Sequence, residues 1–254
     1  MNKNFLFFLF LLIGFVAKAQ MIGVPNLTTF DDRRIHFGFT LGLNSLDLDF
    51  SHYPTIYDNP EFKNFPIDPR YQAEIDSVGG ALRADIANLI PGFTVGIVSN
   101  LRLTENLDLR FLPGLSFGNR KITYNVPIHD IDEGDVDEYS LRATYLDFPL
   151  LVKYKSKRII NQRPYMIGGL SMRYDMSKSA TEKLLRLKKW SFYAEAGMGW
   201  DVYLQFFRLS TEVKYGFGLQ NLLTPPPKFP QNSYYNLALK GLNSHVLTLC
   251  FHFE

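Results

Sequence analysis

Cysteine is all but missing from this 254-residue chain. Cys250 stands alone, so no disulfide can close within it, and no cysteine follows the N-terminal segment as a lipid anchor would need. After residue 19 no apolar run approaches the roughly 20 residues of a transmembrane helix. An excess of one charge is lacking too. Lys and Arg number 27 against 25 Asp and Glu, a net +2 that argues for neither nucleic acid nor a strongly acidic partner. No His-Glu-x-x-His and no phosphate-binding glycine loop occurs, so the common zinc and nucleotide signatures are excluded. No internal repeat and no low-complexity segment is visible.

What is present begins with a targeting pattern. Lys3 precedes an apolar stretch over 5–16, and Ala17-Lys18-Ala19 follows as a small-x-small cleavage site. The stretch is too short to span a bilayer as a helix, so the reading is a signal peptide over 1–19 and a mature chain from Gln20. Aromatics make up 15% of the residues, 22 of them Phe and 14 Tyr. In an exported, aromatic-rich chain without spanning helices, membrane insertion requires a closed barrel, because only closure pairs every backbone polar group.

Period-two alternation supports that fold. Phe192, Ala194, Ala196, Met198, Trp200, Val202 and Leu204 fall on one face, and Ser191, Tyr193, Glu195, Gly197, Gly199, Asp201 and Tyr203 on the other. The same pattern predicts eight strands, near 34–50, 91–103, 107–118, 142–155, 164–175, 190–204, 207–219 and 243–253. The connections alternate in length. Long ones run over 51–90, 119–141, 176–189 and 220–242; short ones sit at 104–106, 156–163 and 205–206. Short periplasmic turns and longer outer loops characterise outer-membrane barrels. The expected fold is therefore all-β: an eight-stranded antiparallel up-and-down transmembrane β-barrel of outer-membrane type over 20–254, both termini periplasmic. The last strand closes on His252-Phe253-Glu254, an aromatic near the end like the assembly signal of such barrels.

Alternation alone does not say which face is the lumen, and a soluble lipocalin-like barrel would put the apolar face inside. Charge and glycine decide. Arg34, Arg110, Lys153, Glu195, Asp201, Arg208, Glu212 and Lys214 share the glycine-bearing face. An Arg or Lys on the lipid face at mid-depth costs about 2–4 kcal/mol. Together with Asp147 and Arg173 these residues form an expected lumen charge network. It reads as paired structural filling rather than an ion path or proton relay, since eight strands leave room only for side chains. Asp147 and Glu195, in principle a general-acid pair, read as partners of Lys153, Arg173 and Arg110.

The loops offer weaker candidates. Ala and Leu over 73–90 suggest a short helix at the rim. Ser51-His52 hints at a nucleophile pair, and His129 and Asp130 open an acidic run through Glu138. That run does not fit an EF-hand, because Gly134 takes a ligand position. Lys183, Arg186, Lys188 and Lys189, just before Trp190, are candidate contacts for lipid phosphates. Leu184, Leu185 and Leu187 among them suggest an amphipathic segment on the membrane surface. Pro225-Pro226-Pro227, Phe229-Pro230 and Tyr234-Tyr235 form either an exposed docking arm or a self-packed loop.

One stretch resembles a known family. Tyr145-Leu146-Asp147-Phe148-Pro149-Leu150-Leu151-Val152-Lys153-Tyr154-Lys155 runs on to Arg163-Pro164-Tyr165-Met166-Ile167-Gly168-Gly169-Leu170 and Arg173-Tyr174-Asp175. This resembles the PorT (SprT) outer-membrane barrels of Bacteroidetes, with the turn Lys155-Ser156-Lys157-Arg158 and the Arg-Tyr-Asp exit closest to them. The resemblance implies a non-enzymatic component of type IX protein secretion and gliding motility, with outer-membrane lipid and other secretion-machinery proteins as partners. It implies no cofactor, no nucleic acid and no small-molecule substrate. The alternative is a small structural or adhesin-like barrel without a secretion role.

Overall fold

The computed structural model describes residues 24–254 apart from 65–68, 127, 131–133, 137, 178–184, 186 and 225–229. The expected signal segment, together with Lys183 and Arg186, lies outside the described residues.

The strands are β1 (Ile35–His52), β2 (Ala84–Arg102), β3 (Leu107–Phe111), β4 (Gly114–Tyr124), β5 (Ile128–Asp130), β6 (Gly134–Val136), β7 (Tyr139–Lys155), β8 (Gln162–Asp175), β9 (Trp190–Tyr203), β10 (Arg208–Gly218) and β11 (Leu239–Phe253). Each barrel strand pairs antiparallel with its neighbours in sequence, and β1 pairs with both β2 and β11, which closes the ring. β3 and β4 are two halves of one barrel strand, broken at Leu112-Pro113. Both halves pair with β2 and β7, so the ring has eight staves. β5 and β6 form a separate hairpin inside the second long connection. The helices are α1 (Pro69–Ser77) and α2 (Pro230–Leu237), both in long connections.

The outward face is apolar and exposed. On β1, Phe37 is 69% exposed, and Ile35, Phe39, Leu41 and Leu43 stand beside it, while Thr40, Gly42 and Asn44 point in. On β9 the two tryptophans, Trp190 and Trp200, lie ten residues apart on that face. At ~3.3 Å per residue and a tilt of about 40°, ten residues rise about 25 Å, the height of a barrel's lipid band. Tyr174 packs on Trp190 at 4.6 Å between centroids, as expected of an aromatic belt.

Above that band the polarity inverts. Along β4 the outward residues change from Leu115 and Phe117 to Asn119, Lys121 and Thr123, while the inward ones change from Ser116 to buried Ile122 and Tyr124. β1, β2, β7 and β11 rise with it beyond the band. Inside this extension lies an apolar cap made of Leu48, Ile75, Leu82, Tyr124, Leu141, Tyr235 and Leu242, with neighbours from the long connections. In water an inward apolar face is the stable choice, as in any soluble sheet, so the inversion marks where lipid gives way to solvent.

Several expectations are corrected. The helix expected over 73–90 runs instead over Pro69–Ser77. Gly79 (φ 61°) and Gly80 (φ 75°) turn the chain after it, and Ala84 onward is already strand. Strand β2 continues through Pro91-Gly92, where a register shift against β4 takes up the proline that cannot donate to the ladder. His52 is no loop residue: it ends β1, and its Nε2 accepts the Ala84 N–H at 2.8 Å. Of the two alternatives for the fourth connection, Tyr234 and Tyr235 follow the self-packed one, both fully buried, while Pro225-Pro226-Pro227 and Phe229 lie outside the described residues. Leu185 is buried in the cap and Leu187 packs against it, so these two do not lie on the membrane surface.

Candidate functional site: the filled lumen

The lumen is where the charged inward residues meet, and the strand parity that places them is the one that leaves Phe and Leu outside. Near the end of the short turns, Arg110 donates to Glu212 Oε2 at 3.0 Å and to Glu254 Oε1 at 3.1 Å. Arg208 donates to Glu254 Oε2 at 2.6 Å. Lys153 Nζ sits between the two oxygens of Asp201, at 2.8 and 2.7 Å, and over the Tyr165 ring at 3.7 Å. The Ser210 hydroxyl donates to Asp201 at 2.5 Å, and the Tyr165 hydroxyl to Glu212 at 2.9 Å. Lys155 pairs with Asp108 at 2.6 Å, and Asn100 donates to the other Asp108 oxygen at 2.8 Å.

Higher in the lumen, Arg173 grips Asp147 with two donors at 2.5 and 3.2 Å, and the Ser116 hydroxyl bonds the same carboxylate. Lys214 pairs with Glu195 at 2.8 Å. Arg120, buried at the level below the cap, donates to the Tyr145 hydroxyl at 2.8 Å. Among the described residues, six cations thus face six carboxylates within the knot, and Arg120 stands above them as a seventh buried cation whose hydrogen-bond partner is a hydroxyl, not a carboxylate.

That balance has a chemical meaning. A buried charge is tolerated only when it is paired and hydrogen-bonded, and here every one of the twelve is. The cavity at mid-lumen, lined by Thr94, Ser116, Asp147, Arg173, Glu195 and Lys214 among others, measures about 30 Å³, the scale of a water rather than a solute. Asp147 and Glu195 both border it, but each is held by its own cation, so neither is poised as a free acid or base.

Nine of the ten residues expected in the network are in it: Arg110, Asp147, Lys153, Arg173, Glu195, Asp201, Arg208, Glu212 and Lys214. Arg34 is not. It precedes β1 and is exposed on the surface of the turn end. Two partnerships also differ from expectation: Lys153 takes Asp201, and Glu195 takes Lys214. Sequence reasoning missed Asp108, Lys155, His252 and Glu254. Parity would have found the first two, since Asp108 stands two residues from Arg110 and Lys155 two from Lys153. Lys188 is exposed and donates to the Asn221 carbonyl at 2.8 Å, and Lys189 is exposed at the rim beside Trp190. The side chains of the acidic run from His129 to Asp137 lie outside the described residues.

One further element closes the turn end. The segment before β1 folds across the mouth through a short 3-10 turn, Phe30–Asp32. Phe30 stacks on His36 at 4.1 Å and lies 4.7 Å beneath the Arg208 guanidinium. Asp31 accepts from the Tyr203 hydroxyl at 3.0 Å and faces Arg163 at 3.5 Å. With this segment below and the apolar cap above, both ends of the charged lumen are covered.

The sequence matches the outer membrane protein beta-barrel domain family over residues 19–224, most of the chain. The chain belongs to that family. This outer-membrane barrel also resembles solved structures distantly. The outer membrane protein OprG of Pseudomonas aeruginosa is 11% identical, covers 91% of this chain and 95% of its own, and gives a TM-score of 0.41. The N-terminal barrel domain of OprF of the same organism is 12% identical, with coverage of 84% and 97% and a TM-score of 0.34. AlkL, solved in lipid bilayers, is 13% identical, with coverage of 93% and 92% and a TM-score of 0.35. No curated protein matches the sequence.

Proposed function

We propose that this outer-membrane barrel is a non-enzymatic component of a type IX protein secretion machine, of the PorT (SprT) kind, needed for export of cargo proteins and, in gliding species, for motility. The observation that carries the proposal is the filled lumen. A barrel whose bore is occupied by twelve paired charges passes no cargo itself, so its working parts are its surfaces. The resemblance over 145–155, 163–170 and 173–175 supports the family assignment. It supplies Asp147, Lys153, Tyr165 and Arg173, all of which face the lumen knot. In this reading 1–19 is a cleaved signal peptide and 20–254 the barrel domain. The turn end and both termini face the periplasm, and the cap faces outward. Outer-membrane lipid and other proteins of the machine are the partners; no cofactor or small substrate is involved.

The test is the secreted proteome of a clean deletion strain beside its complemented parent. Cargo missing from the medium and trapped in the periplasm supports the proposal. An unchanged secretome refutes it. The raised cap favours a second reading in that case, since β1, β2, β4, β7 and β11 carry a packed platform above the lipid band. The protein would then be a small structural or adhesin-like barrel, and the deletion strain would show envelope fragility or lost adhesion with normal export.

A further inference from the structure

We infer that one corner of the turn end, built by the turns after β7 and β9, is a docking surface for a periplasmic protein segment that presents an apolar side chain flanked by carboxylates. The inference rests on the orientation and machinery proposed above.

The corner is apolar where the fold does not require it to be. Phe206 is 88% exposed, Val24 82% and Ile159 67%, with Ile160 and Leu204 exposed beside them. Hydrogen bonds make the patch contiguous. The Tyr203 N–H donates to the Asn161 carbonyl at 2.8 Å, joining the two turns. The Asn161 side chain donates to the Val24 carbonyl at 3.0 Å, joining the N-terminal segment to both.

The same corner holds backbone strain. Among the described residues, Leu27 (φ 49°) and Ile160 (φ 54°) are the two non-glycine residues in left-handed conformation, and both carbonyls accept from Arg158. Ile160 stands first at the tip of a two-residue hairpin closed by paired bonds between Ile159 and Gln162. Asn or Gly fits such a tip without strain, and a β-branched residue there is an outlier. An isoleucine that is both strained and exposed has a use outside the folded chain.

Two observations select the occupant. Leu204 lies four residues beyond Trp200, just past the end of β9, so the corner sits about 10 Å past the aromatic belt, beyond the acyl region and into the aqueous side of the interface. A lipid tail does not reach it, and a protein does. The charge beside the apolar patch is cationic. Lys157 is exposed and has no carboxylate partner among the described residues, while Arg158, mostly buried, adds its positive charge from beneath, where it holds the Leu27 and Ile160 carbonyls. An apolar side chain between carboxylates fits both features, as an anchor in a patch with a charged rim.

The test uses the full chain in native outer membranes, with a photoreactive residue at position 206 and, as control, at lipid-facing position 198. The expected adduct at 206 joins a protein, and the linked peptide carries Asp or Glu beside its apolar residue. Lys157→Glu and Ile160→Asn each reduce its yield about tenfold or more, as loss of an anchor or a reversed charge does. Ile160→Asn relieves the turn, so heat-modifiable migration is kept or strengthened while docking falls, which a purely structural role would not produce. A 206 adduct with phospholipid alone, or with a second copy of this chain, overturns the inference. So does a yield indifferent to both substitutions. If the deletion strain loses export but an Ile160→Asn, Phe206→Ser strain exports normally, the corner is not the docking surface and the proposed function stands. If the deletion strain exports normally, the proposed function fails and the adduct alone decides.

Discussion

Replacing Lys153 with Met removes one ammonium from between the two oxygens of Asp201. Both side chains are wholly buried, at 2.8 and 2.7 Å. Asp201 then keeps the Ser210 hydroxyl at 2.5 Å and the more distant Arg208 at 3.9 Å, too little to neutralise it. Breaking a buried pair by removing one partner costs about 3–5 kcal/mol. Lys121 and Glu138 provide the control, because they are equally close, at 2.7 Å, yet 40% and 42% exposed. Lys121→Met is expected to cost less than ~1 kcal/mol. Lys153→Met with Asp201→Leu is expected to cost less than Lys153→Met alone, since no carboxylate is left unpaired. Urea midpoints of the refolded barrel, followed by fluorescence of Trp190 and Trp200, measure all three. Equal and small losses for Lys153→Met and Lys121→Met would mean that the lumen charges are screened by water, and the filled-lumen reasoning would be refuted.

Other consequences follow from the same structure. A Cβ built on Gly38 would meet the Phe253 carbonyl oxygen at 2.0 Å, across the seam where β1 closes on β11. Gly38→Ala is therefore expected to leave a sample that migrates alike heated and unheated. Gly216→Ala, whose nearest neighbours would be 3.6 Å away, keeps the shift. Tyr235→Ala opens the cap at a fully buried side chain and costs about 3–5 kcal/mol locally. Because the cap stands above the lipid band, limited proteolysis should cut within 219–238 while heat-modifiable migration persists; loss of that migration would mean that cap and barrel fold as one unit.

The lipid-facing parts of the barrel were legible in the sequence, and their extensions were not. β8 to β10 match their expected ranges within two residues, because Met166, Met198 and Val213 alternate with Tyr165, Asp201 and Glu212 all the way across the lipid. β4 was expected to stop at Gly118, and β2 to start at Pro91. Beyond those points Asn119 and Lys121 face outward and Ile122 inward, so a pattern tuned to lipid outside and charge inside reads the same strand as loop. Solvent chemistry, not strand geometry, had changed. The lumen network was legible for the same reason as the strands, since parity sorts both. Arg34 fell out because it precedes the first paired residue of β1, where parity has no meaning. The Phe30–Asp32 plug had no periodic signal, and only tertiary contacts with His36, Tyr203 and Arg208 reveal it. The proposed secretion role rests on resemblance, because the motif residues that suggest it do structural duty inside the barrel.

The filled lumen is tested most directly by reconstituting the folded protein in planar bilayers and recording current under an applied potential. Paired charges, a water-sized cavity and covered ends predict no steady conductance above that of the bare membrane. Stable unitary steps that scale with salt concentration would contradict it, and would make this barrel a channel.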